Sequence, residues 1–216
     1  MIENEVIKVG AFHPDSEFMQ ALGRVADYVI LNLLCVLFSL PIVTAGAAMT
    51  AKYYVSMKMI RGEEPAVLSA FWSSFRSNFK QATCIWIPFL LIILVLAWDW
   101  YAVVYGSSQS MPQAGKILLL VLTLLVCMAA YAVFPFLARF ELSTVEALKG
   151  AMVFCFLNLP KMLVILFVIA LPYVLALWYI EWALGLWFFI TTVALYYISR
   201  MFVKEFKKIE QEEQLS

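Results

Sequence analysis

Fourteen of the fifteen lysines and arginines fall on one side of a membrane when the chain is threaded as six apolar helices with both ends in the cytoplasm. Only Lys116 falls on the other side. Positive charge is retained in the cytoplasm during insertion, so a bias of this kind reports topology. The composition agrees. The chain is 64% hydrophobic and 14% charged, whereas soluble domains run near half apolar and a quarter charged. The expectation is an all-α polytopic bundle of six transmembrane helices, arranged as three hairpins with amphipathic connectors.

The first apolar stretch, about residues 25–60, is too long for one span, because roughly 20 residues cross a bilayer. Ser39-Leu40-Pro41 interrupts it. Proline has no amide hydrogen and disfavours helix at the residue before it. The stretch therefore divides into a helix over 24–38, a turn over 39–43 and a helix over 44–60. One kinked helix is the alternative. It gives five spans, an external N-terminus and a charge split of twelve to three. Further spans are expected over 84–105, 116–138, 161–179 and 183–201. Trp98, Trp100, Tyr101, Tyr105, Trp178, Tyr179, Trp182 and Trp187 collect at the proposed outer ends, where amphipathic rings favour the headgroup zone.

Two connectors lie between inner ends. In residues 68–80, Leu68, Phe71, Trp72, Phe75 and Phe79 share one helical stripe, which reads as an amphipathic helix on the membrane surface. In residues 143–160, Val145, Leu148, Met152, Phe156 and Leu159 repeat the pattern, and Ser143 with Glu146 offers a capping box. Each outgoing span follows a base (Arg24, Lys80, Lys161), and each returning span carries aromatics before another (Arg61, Arg139, Arg200). Repeated hairpins are a plan used by transport proteins. Charge sorting alone also produces this rhythm in a six-span chain. The organisation expected is a polar cytoplasmic tail over 1–17, one membrane domain over 18–206 and a charged C-terminal tail over 207–216.

Acids inside apolar spans are costly and mark paired or water-exposed positions. Asp27 follows Arg24 by three residues, the spacing of a local helix pair. Asp99 sits within Trp98-Asp99-Trp100-Tyr101, and Glu181 precedes Trp182. Asp99, Trp98, Trp100, Glu181 and Trp182 compose either an acidic aromatic rim for a sugar or cation, or a rim that only anchors helix ends. Asn32, Pro41, Thr44 and Gly46 are assigned to helix packing and the turn, the small residues around Gly46 allowing close approach.

Catalytic and metal chemistry find little footing. The single histidine, His13, lies in the polar N-terminal segment, and Cys35, Cys84, Cys127 and Cys155 are scattered through apolar runs without metal spacing. No Walker loop, HExxH or Ser/His/Asp set occurs. The N-terminus lacks the basic start and short apolar run of a signal peptide. No broad basic face suits nucleic acid. The expectation is a non-enzyme with no cofactor and no nucleic-acid partner.

Asn32-Leu33-Leu34, then Leu40-Pro41-Ile42-Val43-Thr44-Ala45-Gly46-Ala47, then Tyr53-Tyr54, resemble the YesL-like family of bacterial integral membrane proteins of unknown function. Phe71-Trp72 and Asn78-Phe79-Lys80 extend the resemblance, which covers about residues 18–206. That family has no assigned site residues to carry over. The resemblance implies a plasma-membrane setting and an association with carbohydrate uptake, as an accessory component. Its partners would be the lipid bilayer and a sugar-transporter complex, or a second copy of itself. The alternative is a small-solute transporter or channel in its own right.

Overall fold

The structure is a computed structural model that describes residues 17–106, 111–140, 142–178 and 183–215. Seven α-helices account for most of it: α1 (Glu17–Ser39), α2 (Ala45–Ile60), α3 (Val67–Tyr105), α4 (Gln113–Arg139), α5 (Thr144–Leu157), α6 (Leu159–Trp178) and α7 (Ala183–Leu215). No strand occurs among the described residues. The expected tail over 1–17 lies outside them apart from Glu17, which opens α1. Residues 207–215 continue α7 as helix.

The long first apolar stretch breaks where proline stands. α1 ends at Ser39, and a single 3-10 turn over Ile42–Thr44 leads into α2. Thr44 closes the turn by donating its hydroxyl to the carbonyls of Phe38 at 2.5 Å and Pro41 at 2.7 Å. α1 and α2 are therefore two helices folded back on each other.

α2 occupies the centre of the bundle and touches α1, α3, α4 and α7. Its small residues make that possible. Gly46, Ala47, Ala48, Thr50 and Ala51 are all buried. A Cβ on Gly46 would lie 2.7 Å from Trp86 Cβ and 2.8 Å from the Ala82 carbonyl oxygen, so α3 approaches where only hydrogen fits. Lys52 stands midway along α2, half-buried, with its ammonium 5.7 Å from the Tyr53 ring centroid.

The segment over 68–80 is not a separate surface helix. It is the first half of α3, a continuous helix of 39 residues and about 58 Å. Nothing in Lys80-Gln81-Ala82-Thr83-Cys84 breaks a helix, and the apolar stripe has a protein neighbour. Phe71 and Phe75 are buried, their rings 5.5 and 5.0 Å from that of Phe38 on α1, while Leu68 and Trp72 stay exposed. The Trp86 indole donates to the Ile42 carbonyl at 2.7 Å, fixing this point of α3 beside the first hairpin's turn. From there α3 runs 19 residues further, about 28 Å, with Leu96 and Val103 packed on Leu119 of α4.

The second connector does break. α5 and α6 meet at 98° around Asn158, ahead of Pro160. The capping box forms: Ser143 Oγ accepts from the Glu146 amide at 3.4 Å, and Glu146 Oε2 accepts from the Ser143 amide at 2.9 Å. Ala147, Ala151, Phe154 and Cys155 face the core, whereas Val145, Met152 and Phe156 of the expected stripe are exposed.

Three described helices, α1, α3 and α4, are long and apolar enough to cross a membrane, and the α5–α6 pair makes up to four if taken as one bent span. Exposed Leu91, Val95, Leu118, Val164 and Phe167 give these helices apolar outer faces, a surface suited to lipid rather than water.

Candidate functional site

The outer rim is the first place to look, and its described members diverge. Trp98 and Trp100 leave α3 about 200° apart. Trp98 is 70% exposed and stacks along its own helix, its ring 6.0 Å from Tyr101, which in turn lies 5.3 Å from Tyr105. Asp99 is exposed. Trp100 turns inward and donates its indole N–H to Thr123 Oγ1 on α4 at 3.0 Å. Glu181 and Trp182 lie outside the described residues. What the described part shows is a ladder of aromatic rings on one helix and a tryptophan that ties α3 to α4.

The polar groups that do converge lie inside the bundle. The Asn32 amide on α1 donates to Thr191 Oγ1 at 2.9 Å and Thr192 Oγ1 at 3.2 Å on α7. Ser56 on α2 donates to Ser199 on α7 at 2.7 Å, with both residues fully buried. The Tyr53 and Tyr131 hydroxyls share a hydrogen bond between α2 and α4. Together these bonds make a seam of interhelical contacts through α1, α2, α4 and α7. The sequence singles out Asn32 but not its partners, although two adjacent threonines in an apolar run are an available signal.

A second convergence is ionic and gathers the C-terminal ends of α2 and α4 against α7 and the start of α6. α2 ends in a Schellman turn: Gly62, at φ +81°, donates to the Met59 carbonyl, and Glu63 donates to that of Lys58. This turn returns Glu63 to Arg61 at 2.9 Å and Lys58 at 3.4 Å. The Arg61 guanidinium holds the Glu63 carboxyl below its ordinary value. Arg139 pairs with Glu210 at 2.6 Å, and Lys161 with Glu205 at 2.8 Å. Glu205 also receives Lys208 at 3.2 Å. Arg61, Arg139 and Lys207 line one small concavity floored by Val203 and Phe206.

A larger opening lies elsewhere, between α6 and α7. It is an apolar groove of about 630 Å³ lined by residues such as Val164, Val168, Phe189 and Val193, with Lys161 at one end. Among the described residues no three His, Cys, Asp or Glu side chains gather as metal ligands. The four cysteines are free thiols.

Fold and surface together define a helical membrane protein. Residues 28–100, about a third of the chain, match a family described as a protein of unknown function, DUF624. The matched stretch runs from Tyr28 in α1 to Trp100 in α3, so it takes in the turn, the buried α2 and the Gly46 contact. It is shorter than the resemblance over residues 18–206 noted above. No curated protein and no solved structure matches the chain.

Proposed function

We propose that this chain is an accessory protein of the bacterial plasma membrane, associated with carbohydrate uptake, that acts by helix contact with a transporter. In this reading six helices span as three hairpins, α1–α2, α3–α4 and α6–α7, with both termini cytoplasmic. One observation carries the contact role: the middle of the bundle is filled, while the open space faces sideways. Tyr53, Met57, Phe134, Phe202 and Phe206 are each under 2% exposed, leaving tight packing where a solute path through the bundle would run. The groove between α6 and α7 is instead apolar and open, a surface against which a neighbouring apolar helix would pack. The carbohydrate part rests on the YesL-like resemblance of the first hairpin, and the cytoplasmic ends on the sidedness of the charges.

The test is a photo-crosslinking residue at Val164 or Val193 in growing cells. The reading expects a crosslink to an integral membrane component of a sugar transporter. Crosslinks only to a second copy would replace the transporter by a homo-oligomer. Crosslinks to lipid alone would remove the contact role and favour the alternative, a small-solute transporter. Topology is read separately: Glu63→Cys should be protected from an impermeant thiol reagent in intact cells, and Met111→Cys should react.

A further inference from the structure

We propose that the outward face of α5 is a lipid-contact surface, inserted in the inner leaflet at the boundary between headgroups and acyl chains. α5 is apolar on two opposite sides. Ala147, Ala151, Phe154 and Cys155 are buried against the bundle and take up about 100° of its circumference. The far side carries Val145, Met152, Val153 and Phe156, each more than half exposed, with Leu157 78% exposed at its edge. Glu146 and Lys149 are the only charges on this helix. Glu146 is held in the first turn by its bond with the Ser143 amide. Lys149 has the long stem that lets an ammonium reach headgroups from an apolar face. A helix apolar on both sides needs cover on both, and the bundle supplies one.

Lipid is the other cover. α5 follows Arg139 and precedes Lys161, two of the bases sorted to the inner side. It makes 98° with α6, so α5 lies close to the membrane plane where α6 crosses. Its position beside the bundle sets which way the free face looks. The Phe154 ring lies 5.3 Å from Phe136 of α4, and 5.3 and 5.8 Å from Phe202 and Phe206 of α7. α7 runs on about 13 Å past Phe206, to Leu215. α5 therefore lies against the flank of α7 and not across its end, and its free face looks sideways into bilayer. The polar elbow after α5 is closed on the protein itself, as hydrocarbon surroundings require. Lys161 donates to Asn158 Oδ1 at 2.9 Å and pairs with Glu205 at 2.8 Å, and the Asn158 amide donates to the Phe154 carbonyl at 3.3 Å. Beyond the elbow the exposed apolar surface resumes on α6 with Leu163, Val164 and Phe167. The inference rests on α6 being a span and is independent of the transporter contact.

The experiment measures depth. The full chain, its four cysteines changed to alanine, receives one new cysteine at a time and a nitroxide label. It is reconstituted at low protein-to-lipid ratio in vesicles of phosphatidylcholine with a minority of phosphatidylglycerol. Collision with oxygen, which collects in hydrocarbon, is compared with collision with a water-soluble nickel chelate. Labels at Val153→Cys and Phe156→Cys should favour oxygen and report a depth about 5 to 10 Å below the headgroups. Phe167→Cys on α6 should sit deeper, and Glu64→Cys should favour nickel. All four positions are exposed, so no label displaces a core side chain. Nickel access at Val153 equal to that at Glu64 would overturn lipid contact. Protection of Val153 from both reagents would also overturn it, in favour of a second copy covering the face. Nickel access at Phe167 as well would remove the span on which the inference rests, whereas access at Val153 with protection at Phe167 removes the α5 surface alone. Failure of the transporter crosslink at the α6–α7 groove leaves these depths unchanged.

Discussion

Asn32 on α1 and Thr192 on α7 meet at 3.2 Å across 160 residues of sequence, and the same amide reaches Thr191 at 2.9 Å. Asn32 is almost wholly buried, and the two threonines keep backbone acceptors of their own at Trp187 and Phe188. Replacing Asn32 by leucine therefore strands no threonine hydroxyl. The expected cost is that of one interhelical contact, about 0.6 to 2 kcal/mol, read from reversible unfolding in mixed detergent micelles. A variant as stable as wild type would show that the seam fixes helix order without adding stability.

Gly46 and Gly23 make a matched pair. A methyl at Gly46 meets Trp86 and the Ala82 backbone inside 3 Å, whereas at Gly23 nothing lies within 4 Å. Gly46→Ala should cost about 1 to 3 kcal/mol by forcing α2 and α3 apart. Gly23→Ala should be neutral or gain up to about 1 kcal/mol from helix propensity. Thermal unfolding of the two variants in one detergent checks the contrast. Equal effects would mean that α2 and α3 are not in close contact at this point.

The parts of this architecture that were legible in sequence are those decided locally. Pro41 inside an apolar run too long for one span announces a turn, and Ser143 with Glu146 announces a helix start; both are found where the residues stand. The stripe from Leu68 to Phe79 misled because a helix facing lipid headgroups and one packed on a protein neighbour show the same period. Only the presence of Phe38 decides between them, and that contact is nonlocal. The run of α3 past Trp86 to Tyr105 was legible as the span expected over 84–105; what was hidden is its continuity with the segment before it. Apolar content marks a helix that suits a membrane, but not its height beside its neighbours. The seam and ion pairs join helices distant in sequence, so one sequence shows at most half of each pair.

The first turn offers its own test. Thr44 donates to two carbonyls of the break, and Pro41 sets its backbone. Thr44→Val should lower stability by about 1 to 2 kcal/mol, because the carbonyls it served lose a donor at a part-buried site. Pro41→Ala should reduce the folded protein recovered in detergent more than Pro172→Ala, since α6 continues as helix through position 172. Equal, small losses would mean that the hairpin holds without its turn chemistry.

Acid should loosen the start of α5. Hydrogen bonds from Ser143 hold the Glu146 carboxyl below its ordinary value of 4.5. A group whose folded pKa is depressed contributes fully above the unfolded value, and the contribution disappears as pH falls through the folded one. Exchange protection of the Glu146 and Ala147 amides, corrected for intrinsic rates, should therefore fall below about pH 4.5 and level off at lower pH. Glu146→Gln should remove that dependence while leaving the Ser143 hydroxyl to cap. Identical profiles in the two proteins would place the acid-sensitive group elsewhere.

The outer rim separates an accessory role from transport. Trp98 points away from Trp100, and Trp100 is engaged by Thr123, so the described rim presents no converging wall for a sugar. Tryptophan fluorescence should not change in a saturable way on titration with oligosaccharides. Trp100→Ala should lower stability by loosening α3 from α4, and Trp98→Ala, at an exposed ring, should cost less. A saturable response that disappears in folded Asp99→Asn protein would overturn this. It would show that Asp99 joins a solute site completed by residues beyond α3, and it would move the reading from accessory protein to transporter.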